Sequence, residues 1–123
     1  MGGKVLIVDD EAYLRRILSF KLEQAGFSTM EAGSAETAEG ILEGEAVDLI
    51  LLDVGLATPT NGFDLAARLR RNARTERLPI ILLTARGFAS DVLRGREVGA
   101  AGYITKPFST DEVVGRVRAI LGE

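Results

Sequence analysis

The chain has 123 residues, of which 46% are hydrophobic and 27% are charged, and its formal net charge at pH 7 is −3. This length and composition predict one folded domain with a substantial core. Because the chain has no histidine and no cysteine, the sequence excludes Ser-His and Cys-His catalysis, histidine- or thiolate-bound metals, disulfides, and phosphate donation from a histidine. Any metal would need oxygen ligands, which suits a hard cation such as Mg²⁺.

Charge and hydropathy also bear on partners and location. The acidic net charge argues against direct binding of nucleic acid, and the arginines group at Arg15–Arg16 and Arg68–Arg77, where we expect solvated helix faces. The apolar runs are too short for a membrane span and no signal-peptide pattern precedes Val5, so we predict a cytoplasmic protein. We expect residues 1–123 to form the single domain, with residues 1–3 as a flexible or vector-derived start.

Short apolar runs alternate with amphipathic stretches along the whole chain. The predicted strands are 5–8, 28–32, 49–52, 80–83 and 102–105. The predicted helices are 11–25, 34–43, 62–72, 88–98 and 110–121. Because continuous apolar runs favour strands that are covered on both faces, and because strands and helices alternate strictly, the sequence predicts a doubly wound α/β sandwich with a parallel sheet.

Local signals mark the ends of several predicted helices. The predicted helix starts are Ser34, Ser90–Asp91 and Ser109. Glu112 follows Ser109 at the spacing of a capping box, and Gly26 and Gly122 predict the ends of the first and last helices. The fourth helix has the thinnest apolar stripe, which consists of Val92, Leu93 and Val98.

Chemistry-bearing side chains follow or end four of the predicted strands. They are Asp9 and Asp10 after the first strand, Asp53 after the third, Thr84 at the fourth and Lys106 after the fifth. Taken one by one, the acids of the first strand could cap the following helix, and the others could be turn, strand or surface residues. Ligands of a doubly wound sheet bind beyond the carboxyl ends of its strands, however, so we expect all of them to converge on one cleft.

Such a cluster has a definite chemistry. Three neighbouring carboxylates raise one another's pKa unless cations compensate, and one lysine and one divalent cation would do so. Mg²⁺ combines carboxylates with phosphate oxygens as ligands, and an aspartate can act as a nucleophile that forms an aspartyl phosphate. The lysine and the hydroxyl would stabilise charge on the transferred group. The residues therefore predict phosphoryl transfer to an aspartate.

Four segments carry these residues, in an order and at a spacing that extend over nearly the whole chain. They are "VLIVDDE" (5–11), "DLILLD" (48–53), "PIILLTA" (79–85) and "GYITKPF" (102–108). Together they resemble the receiver domain of two-component response regulators, of the CheY-like superfamily. The resemblance implies a (βα)5 flavodoxin-like sandwich with strand order 2-1-3-4-5, and a signalling switch rather than an enzyme.

The resemblance implies a role for each residue of the acidic cluster. Asp53 matches the aspartate that accepts the phosphoryl group. Asp9, Asp10 and Asp53 match the Mg²⁺ ligands, with the backbone carbonyl of Gly55 as a further ligand and Mn²⁺ as an alternative metal. The phosphate donor would be a sensor histidine kinase or a histidine phosphotransfer protein.

The other matching residues would contact the phosphoryl group or report its presence. Lys106 matches the lysine that contacts the phosphate, and the resemblance implies a cis Lys106–Pro107 peptide bond. Thr84 matches the hydroxyl that follows the phosphoryl group when the switch operates, and Tyr103 matches the aromatic side chain that turns inward with it. Tyr103 could also be an ordinary half-buried strand tyrosine.

Three features depart from the common pattern of the family. The loop after Asp53 is one residue longer, and its proline is displaced to Pro59. Arg86, near the mouth of the site, could stabilise an aspartyl phosphate or extend into solvent. Ala101–Gly102 replace two acids that the DNA-binding subgroup often uses in a salt-bridged dimer, so a phosphorylation-dependent homodimer would lose those partners.

Output and alternatives follow from the same resemblance. The face of helix four, strand five and helix five would act on an unknown effector or fused output domain, while this domain would bind neither nucleic acid nor membrane. Two alternatives stay open: an interaction domain that works without phosphorylation, and a small Mg²⁺-dependent phosphatase.

Overall fold

The computed structural model describes residues 2–56, 60–84 and 89–122 of the chain. Five strands alternate with five helices within this part. The strands are β1 (Lys4–Val8), β2 (Ser28–Ala32), β3 (Leu49–Asp53), β4 (Ile80–Thr84) and β5 (Gly102–Thr105). The helices are α1 (Ala12–Gln24), α2 (Ala35–Gly44), α3 (Gly62–Arg70), α4 (Ala89–Glu97) and α5 (Thr110–Leu121). Each predicted strand and helix is therefore present.

The five strands form one parallel sheet in the order β2-β1-β3-β4-β5. All five residues of β3 and of β4 are buried, whereas the edge strands β2 and β5 are partly exposed. Continuous apolar sequences mark the central strands because both of their faces are covered. The predicted fold class and strand order are confirmed.

Two apolar clusters cover the two faces of the sheet. Leu6, Val8, Ile50 and Leu52 point into a cluster that α2 and α3 complete. Their neighbours along the strands point into the opposite cluster, which α1 and α5 complete. Successive strand residues alternate between the two faces, so both layers of helices depend on the same short strands. None of the helices in the described ranges combines the length and the apolar character that a membrane crossing needs.

Helix capping follows the sequence signals at α2 and α5. The Ser34 hydroxyl accepts a hydrogen bond from the Thr37 N–H, and the Ser109 hydroxyl accepts one from the Glu112 N–H. Gly122 ends α5 in the left-handed conformation. The side chains of Ser90–Asp91 lie outside the described part.

The acids after β1 do not cap α1. The N-cap residue of α1 is Glu11, whose side chain makes no capping hydrogen bond. Asp9 instead accepts the N–H of Glu11 through its carboxylate, which holds the acid at the end of β1. The capping alternative for Asp9 and Asp10 is therefore wrong.

Two sequence expectations need correction. Leu93 is 58% exposed and does not belong to the core, whereas Gly95 of the same helix is buried. Helical periodicity counts apolar side chains and overlooks a glycine that faces the sheet. The arginine groups are not uniformly solvated either, because Arg15 and Arg70 place their guanidinium groups against backbone carbonyl oxygens.

Candidate functional site

Three strands bring acidic and basic side chains to one edge of the sheet. Asp9 directly follows β1, Asp53 is the last residue of β3, and Lys106 directly follows β5. Because the strands are parallel, their carboxyl ends meet at this edge. Asp9, Asp10 and Asp53 each offer a carboxylate oxygen, and these oxygens lie within 4.8 Å of one another. The acids that the sequence places after different strands thus form one cluster.

Lys106 contacts three of the acidic side chains around this cleft. Its Nζ lies 3.0 Å from Asp9 Oδ2 and 3.3 Å from Asp53 Oδ2, and it donates a hydrogen bond to each. Glu11 Oε1 lies 3.8 Å from the same nitrogen. Asp9 is 0% exposed and Asp53 is 6% exposed, so the ion pairs are shielded from water on the acidic side.

Backbone groups hold the remaining oxygens of the two buried acids. Asp9 Oδ1 accepts the N–H of Glu11 at 2.9 Å, and Asp53 Oδ1 accepts the N–H of Gly55 at 2.9 Å. Each carboxylate is therefore fixed at both oxygens, by the backbone on one side and by Lys106 on the other. The predicted metal ligand at Gly55 is its carbonyl, and that role stays a prediction.

Burial and charge change the proton affinities of the two central groups. Burial has the largest effect on the pKa of Asp53 and raises it. The Gly55 N–H lowers this pKa, the charge of Asp9 raises it and Lys106 lowers it, and the net result is a raised pKa. Burial lowers the pKa of Lys106, but its hydrogen bond to Asp9 and the charges of Asp53 and Asp9 outweigh that effect and raise it overall. Lys106 is therefore a permanent cation at neutral pH.

The donor set fits a divalent cation. Three carboxylates face one ammonium group, so two negative charges are left unbalanced at a partly buried position. All of the side-chain donors are oxygens, which Mg²⁺ prefers. Asp10 is exposed, so an ion could reach the buried acids from the solvent side.

The predicted switch residues lie on the neighbouring strands β4 and β5. Thr84 is the last residue of β4 and is buried. Tyr103 pairs with Leu82 in the sheet register, and Thr84 pairs with Thr105. Because side chains alternate along a strand, Thr84 and Tyr103 project to the same face of the sheet. The Lys106–Pro107 peptide bond is cis.

Gly62, the glycine that ends the long loop, allows α3 to begin directly behind Asp53. A Cβ atom at Gly62 would overlap the carbonyl oxygen of Asp53 and lie 2.7 Å from the Cα of Val54. The Gly62 N–H also donates to the Val54 carbonyl at 3.2 Å. No larger residue fits at this approach without movement of the backbone that carries Asp53. The displaced Pro59 and Arg86 lie outside the described residues.

Sequence reasoning missed an arginine that supports the acidic cluster. Arg15 Nη1 donates to the carbonyl oxygen of Asp9 at 2.6 Å, and its Nε donates to Glu31 Oε1 at 3.2 Å. The side chain thus joins α1 to the ends of β1 and β2. The position of Glu31 at the carboxyl end of β2 was the available signal, because it places an acid at the same edge of the sheet.

A groove opens beside the cluster on the side of α1. Its volume is about 390 Å³, and its lining includes Tyr13, Pro107 and Phe108 together with Lys106. Tyr13 is 78% exposed. An apolar surface therefore adjoins the charged cleft and shares a residue with it.

Comparison with known proteins agrees with this geometry. The family model for the response regulator receiver domain matches residues 5–118. The phosphate regulon transcriptional regulatory protein PhoB of Pseudomonas aeruginosa is 45% identical over 98% of this chain and 52% of its own length. The transcriptional regulatory protein CpxR of Klebsiella pneumoniae is 42% identical over 97% of this chain and 49% of its own length. The chain thus spans about half the length of these curated relatives.

Solved structures show the same likeness in three dimensions. The chemotaxis response regulator CheY4 of Vibrio cholerae superposes with a TM-score of 0.91 at 27% identity, over 98% of this chain and 99% of that one. The receiver domain of the Francisella response regulator 1452 gives a TM-score of 0.89 at 28% identity, over 98% of each chain. The chain therefore belongs to the response regulator receiver domain family of two-component signalling proteins.

Proposed function

We propose that this chain is a phosphoryl-accepting switch in which Asp53 receives phosphate from a sensor histidine kinase or a histidine phosphotransfer protein. The observation that supports this most is the cluster of Asp9, Asp10 and Asp53 with Lys106 bridging two of them. Carboxylates and a lysine in this arrangement suit the binding and transfer of a phosphoryl group.

Asp9, Asp10 and Asp53, with the carbonyl of Gly55, would hold Mg²⁺, or Mn²⁺ as an alternative. The bound cation would neutralise negative charge and attract phosphoryl oxygens. Asp53 supplies the nucleophile, because its carboxylate is fixed by Gly55 and Lys106 and faces the cleft. Lys106 carries a positive charge. This charge would pair with the negative charge of the transferred phosphoryl group when the Asp53 carboxylate loses its own charge on forming the acyl phosphate.

The reaction balances without a further reagent. A carboxylate oxygen of Asp53 forms a bond to phosphorus while the bond between phosphorus and the imidazole nitrogen of the donor breaks. The electron pair of the broken bond stays on the imidazole, which takes up a proton. The product is an aspartyl phosphate, and the chain needs no histidine of its own.

Thr84 and Tyr103 would couple this event to the surface formed by α4, β5 and α5. The Thr84 side chain lies at the end of β4 beside the cleft, and Tyr103 lies on the same sheet face of the neighbouring strand. Movement of the hydroxyl toward a phosphoryl oxygen would change the space available to the ring. Such coupling is a shift between two arrangements, which an effector or fused output domain would distinguish.

Exposure to acetyl phosphate with Mg²⁺ tests the proposal directly. Intact-mass spectrometry should show one added phosphoryl group in the wild type and none in Asp53→Asn. Asp64→Asn is the matched control, because Asp64 is an exposed acid in the first turn of α3 and does not belong to the acidic cluster. Absence of any adduct would favour the interaction-domain alternative. Continuous phosphate release from external phosphate esters would favour the phosphatase alternative. In that case the chain would be an enzyme.

The groove beside Lys106 supports a protein donor, because a helix that carries a phosphohistidine could approach there. Tyr13→Ala should slow transfer from a phosphorylated histidine phosphotransfer protein several-fold and leave labelling by acetyl phosphate unchanged. Leu93→Ala removes a comparably exposed apolar side chain from α4 and serves as the control. Equal slowing with both donors would mean that Tyr13 acts on the cleft and not on the partner.

The remaining expectations belong to the same proposal. PhoB and CpxR are named as transcriptional regulators, so an output that acts on DNA through an effector or fused domain is consistent with the relatives. We expect this domain itself to bind no nucleic acid and no membrane, and to act in the cytoplasm. A phosphorylation-dependent homodimer is testable by light scattering before and after treatment with acetyl phosphate.

A further inference from the structure

Gly95 lies in the last turn of α4 and faces the aromatic ring of Tyr103. A Cβ atom built on Gly95 would overlap Tyr103 Cε1 and would lie 2.7 Å from Oη and 2.8 Å from Cζ. Real Cβ atoms do not approach other heavy atoms this closely. The distal half of the tyrosine ring therefore occupies the space that a side chain at position 95 would need.

The contact distinguishes Gly95 from two other helical glycines, Gly40 and Gly115. Apart from their chain neighbours and the backbone of their own helix, Gly40 in α2 and Gly115 in α5 have no atom within 4 Å of a Cβ built on them. Glycine destabilises a helix relative to alanine because it loses more backbone entropy on folding. At Gly40 and Gly115 nothing in the surrounding packing offsets that cost, whereas at Gly95 the packed ring does.

The Tyr103 ring lies between α4 and the strand that ends at the cleft, so a change at the cleft could reach α4 through it. Tyr103 packs against the apolar cluster on its face of the sheet, together with Val98 and Ala100. Thr84 projects to the same face from the neighbouring strand β4. It lies two residues after Leu82, which is the register partner of Tyr103. The Tyr103 ring thus has α4 on one side and the strand that ends in Thr84 on the other.

We propose that Gly95 is a positioning residue for Tyr103: its missing side chain creates the space in which the ring packs against α4. The identity of residue 95 thereby sets how large a share of molecules holds the ring in this position. This inference rests on the proposed function in one respect only, namely that Tyr103 reports phosphorylation of Asp53.

A side chain at position 95 should move the ring and leave the fold intact. The atoms that a Cβ would approach most closely belong to the far end of the Tyr103 side chain and not to the backbone. Rotation of the ring therefore relieves the overlap without movement of α4 or β5. By linkage, if phosphorylation favours the packed ring, a side chain that disfavours this ring position opposes the effect of phosphorylation on the ring.

Ring NMR of protein labelled with ¹³C-tyrosine tests the contact. The chain has two tyrosines, so Tyr13→Phe assigns the signals of Tyr103. The wild type should show a nuclear Overhauser effect between the Tyr103 ring and the Hα protons of Gly95. Gly95→Ala should lose it and shift the Tyr103 ring signals toward those of exposed Tyr13, whereas Gly115→Ala should leave them unchanged.

Thermal denaturation of the same variants gives an independent readout. Gly40→Ala and Gly115→Ala should raise the midpoint by a few degrees, and Gly95→Ala should not. In a Tyr103→Ala background, Gly95→Ala should raise the midpoint as Gly115→Ala does, because the side chain that it opposes is gone. A raised midpoint for the single variant Gly95→Ala, together with unchanged Tyr103 ring signals, would overturn the inference.

The phosphorylated protein separates this inference from the proposed function. Treatment with acetyl phosphate should shift the Tyr103 ring signals of the wild type, and by less than half as much in Gly95→Ala. If no adduct forms on Asp53 in the wild type, the proposed function fails. The nuclear Overhauser effect between Tyr103 and Gly95 and the midpoints of thermal denaturation then still decide whether Gly95 positions the ring. If the adduct forms and both proteins shift equally, Gly95 does not position the reporting ring and the inference fails alone.

Discussion

Replacement of Arg70 by alanine should cost this small domain a large part of its stability. Arg70 ends α3, and its guanidinium group donates to carbonyl oxygens of the turn before β4 and of the segment after α4. The shortest contacts are Nε to Val98 O at 2.7 Å, Nη1 to Leu78 O at 2.8 Å and Nη2 to Gly99 O at 3.1 Å. Nη1 also reaches Glu76 O at 3.2 Å and Thr75 O at 3.4 Å.

The magnitude follows from the three shortest bonds. A hydrogen bond to a charged group contributes about 1.5–3 kcal/mol, and the exposed bond to Gly99 contributes least because water replaces the lost donor. Ordering the long arginine side chain costs about 2 kcal/mol and offsets part of that sum. We expect Arg70→Ala to lower the free energy of unfolding by about 3 kcal/mol. The corresponding fall in melting temperature is roughly 10 °C for a domain of this size.

Urea denaturation followed by circular dichroism measures this change, with Arg71→Ala as the control. Arg71 is the next residue and is exposed, so its removal should change stability by less than about 0.5 kcal/mol. Arg70→Lys should recover less than half of the loss, because one ammonium group cannot reach carbonyls on two separate segments. Wild-type stability in Arg70→Lys would refute the reasoning, since charge alone would then suffice.

Three further predictions concern the cleft and one helix end. In metal-free buffer at pH 7, Asp53→Asn should raise the melting temperature, because the raised pKa of Asp53 means that its ionised form opposes folding. The difference in melting temperature between Asp53→Asn and the wild type should vanish as the pH falls and the carboxyl of Asp53 is protonated. Ser109→Ala should cost about 1 kcal/mol in urea denaturation through loss of the bond to the Glu112 N–H, and no loss would contradict the capping role. Mg²⁺ at 100 times its dissociation constant should stabilise the wild type by about 2.7 kcal/mol, and Asp10→Asn should lose most of that gain at the same concentration.

The sequence predicts the fold well because its signals are local. Apolar runs of four neighbouring residues mark β1, β3 and β4. Ser34 and Ser109 mark two helix starts through hydrogen bonds to residues three positions away. The convergence of the acids and Lys106 is also predictable, since it needs only the rule that parallel strands share one carboxyl edge. The roles of these residues in phosphoryl transfer stay predictions.

The features that sequence reasoning missed depend on distant pairs. Arg70 contacts Val98 across 28 positions, and Arg15 contacts Glu31 across 16, so neither contact leaves a periodic signal. Leu93 was wrongly placed in the core for a related reason. Within the described part of α4, a residue that meets the sheet is Gly95, which has no side chain to count, and its partner Tyr103 becomes visible only when β5 is placed beside the helix.

The ion pair between Asp9 and Lys106 has a consequence for how the protein is made. These residues are 97 positions apart, so the first strand and the residue after the last strand must both be in place before the pair exists. A chain synthesised on the ribosome only as far as β4 carries Asp9, Asp10 and Asp53 without the lysine that balances their charge. Under the proposed function, competence for phosphoryl transfer should therefore appear only after synthesis of the last βα unit, and incomplete chains should not accept a phosphoryl group from a kinase.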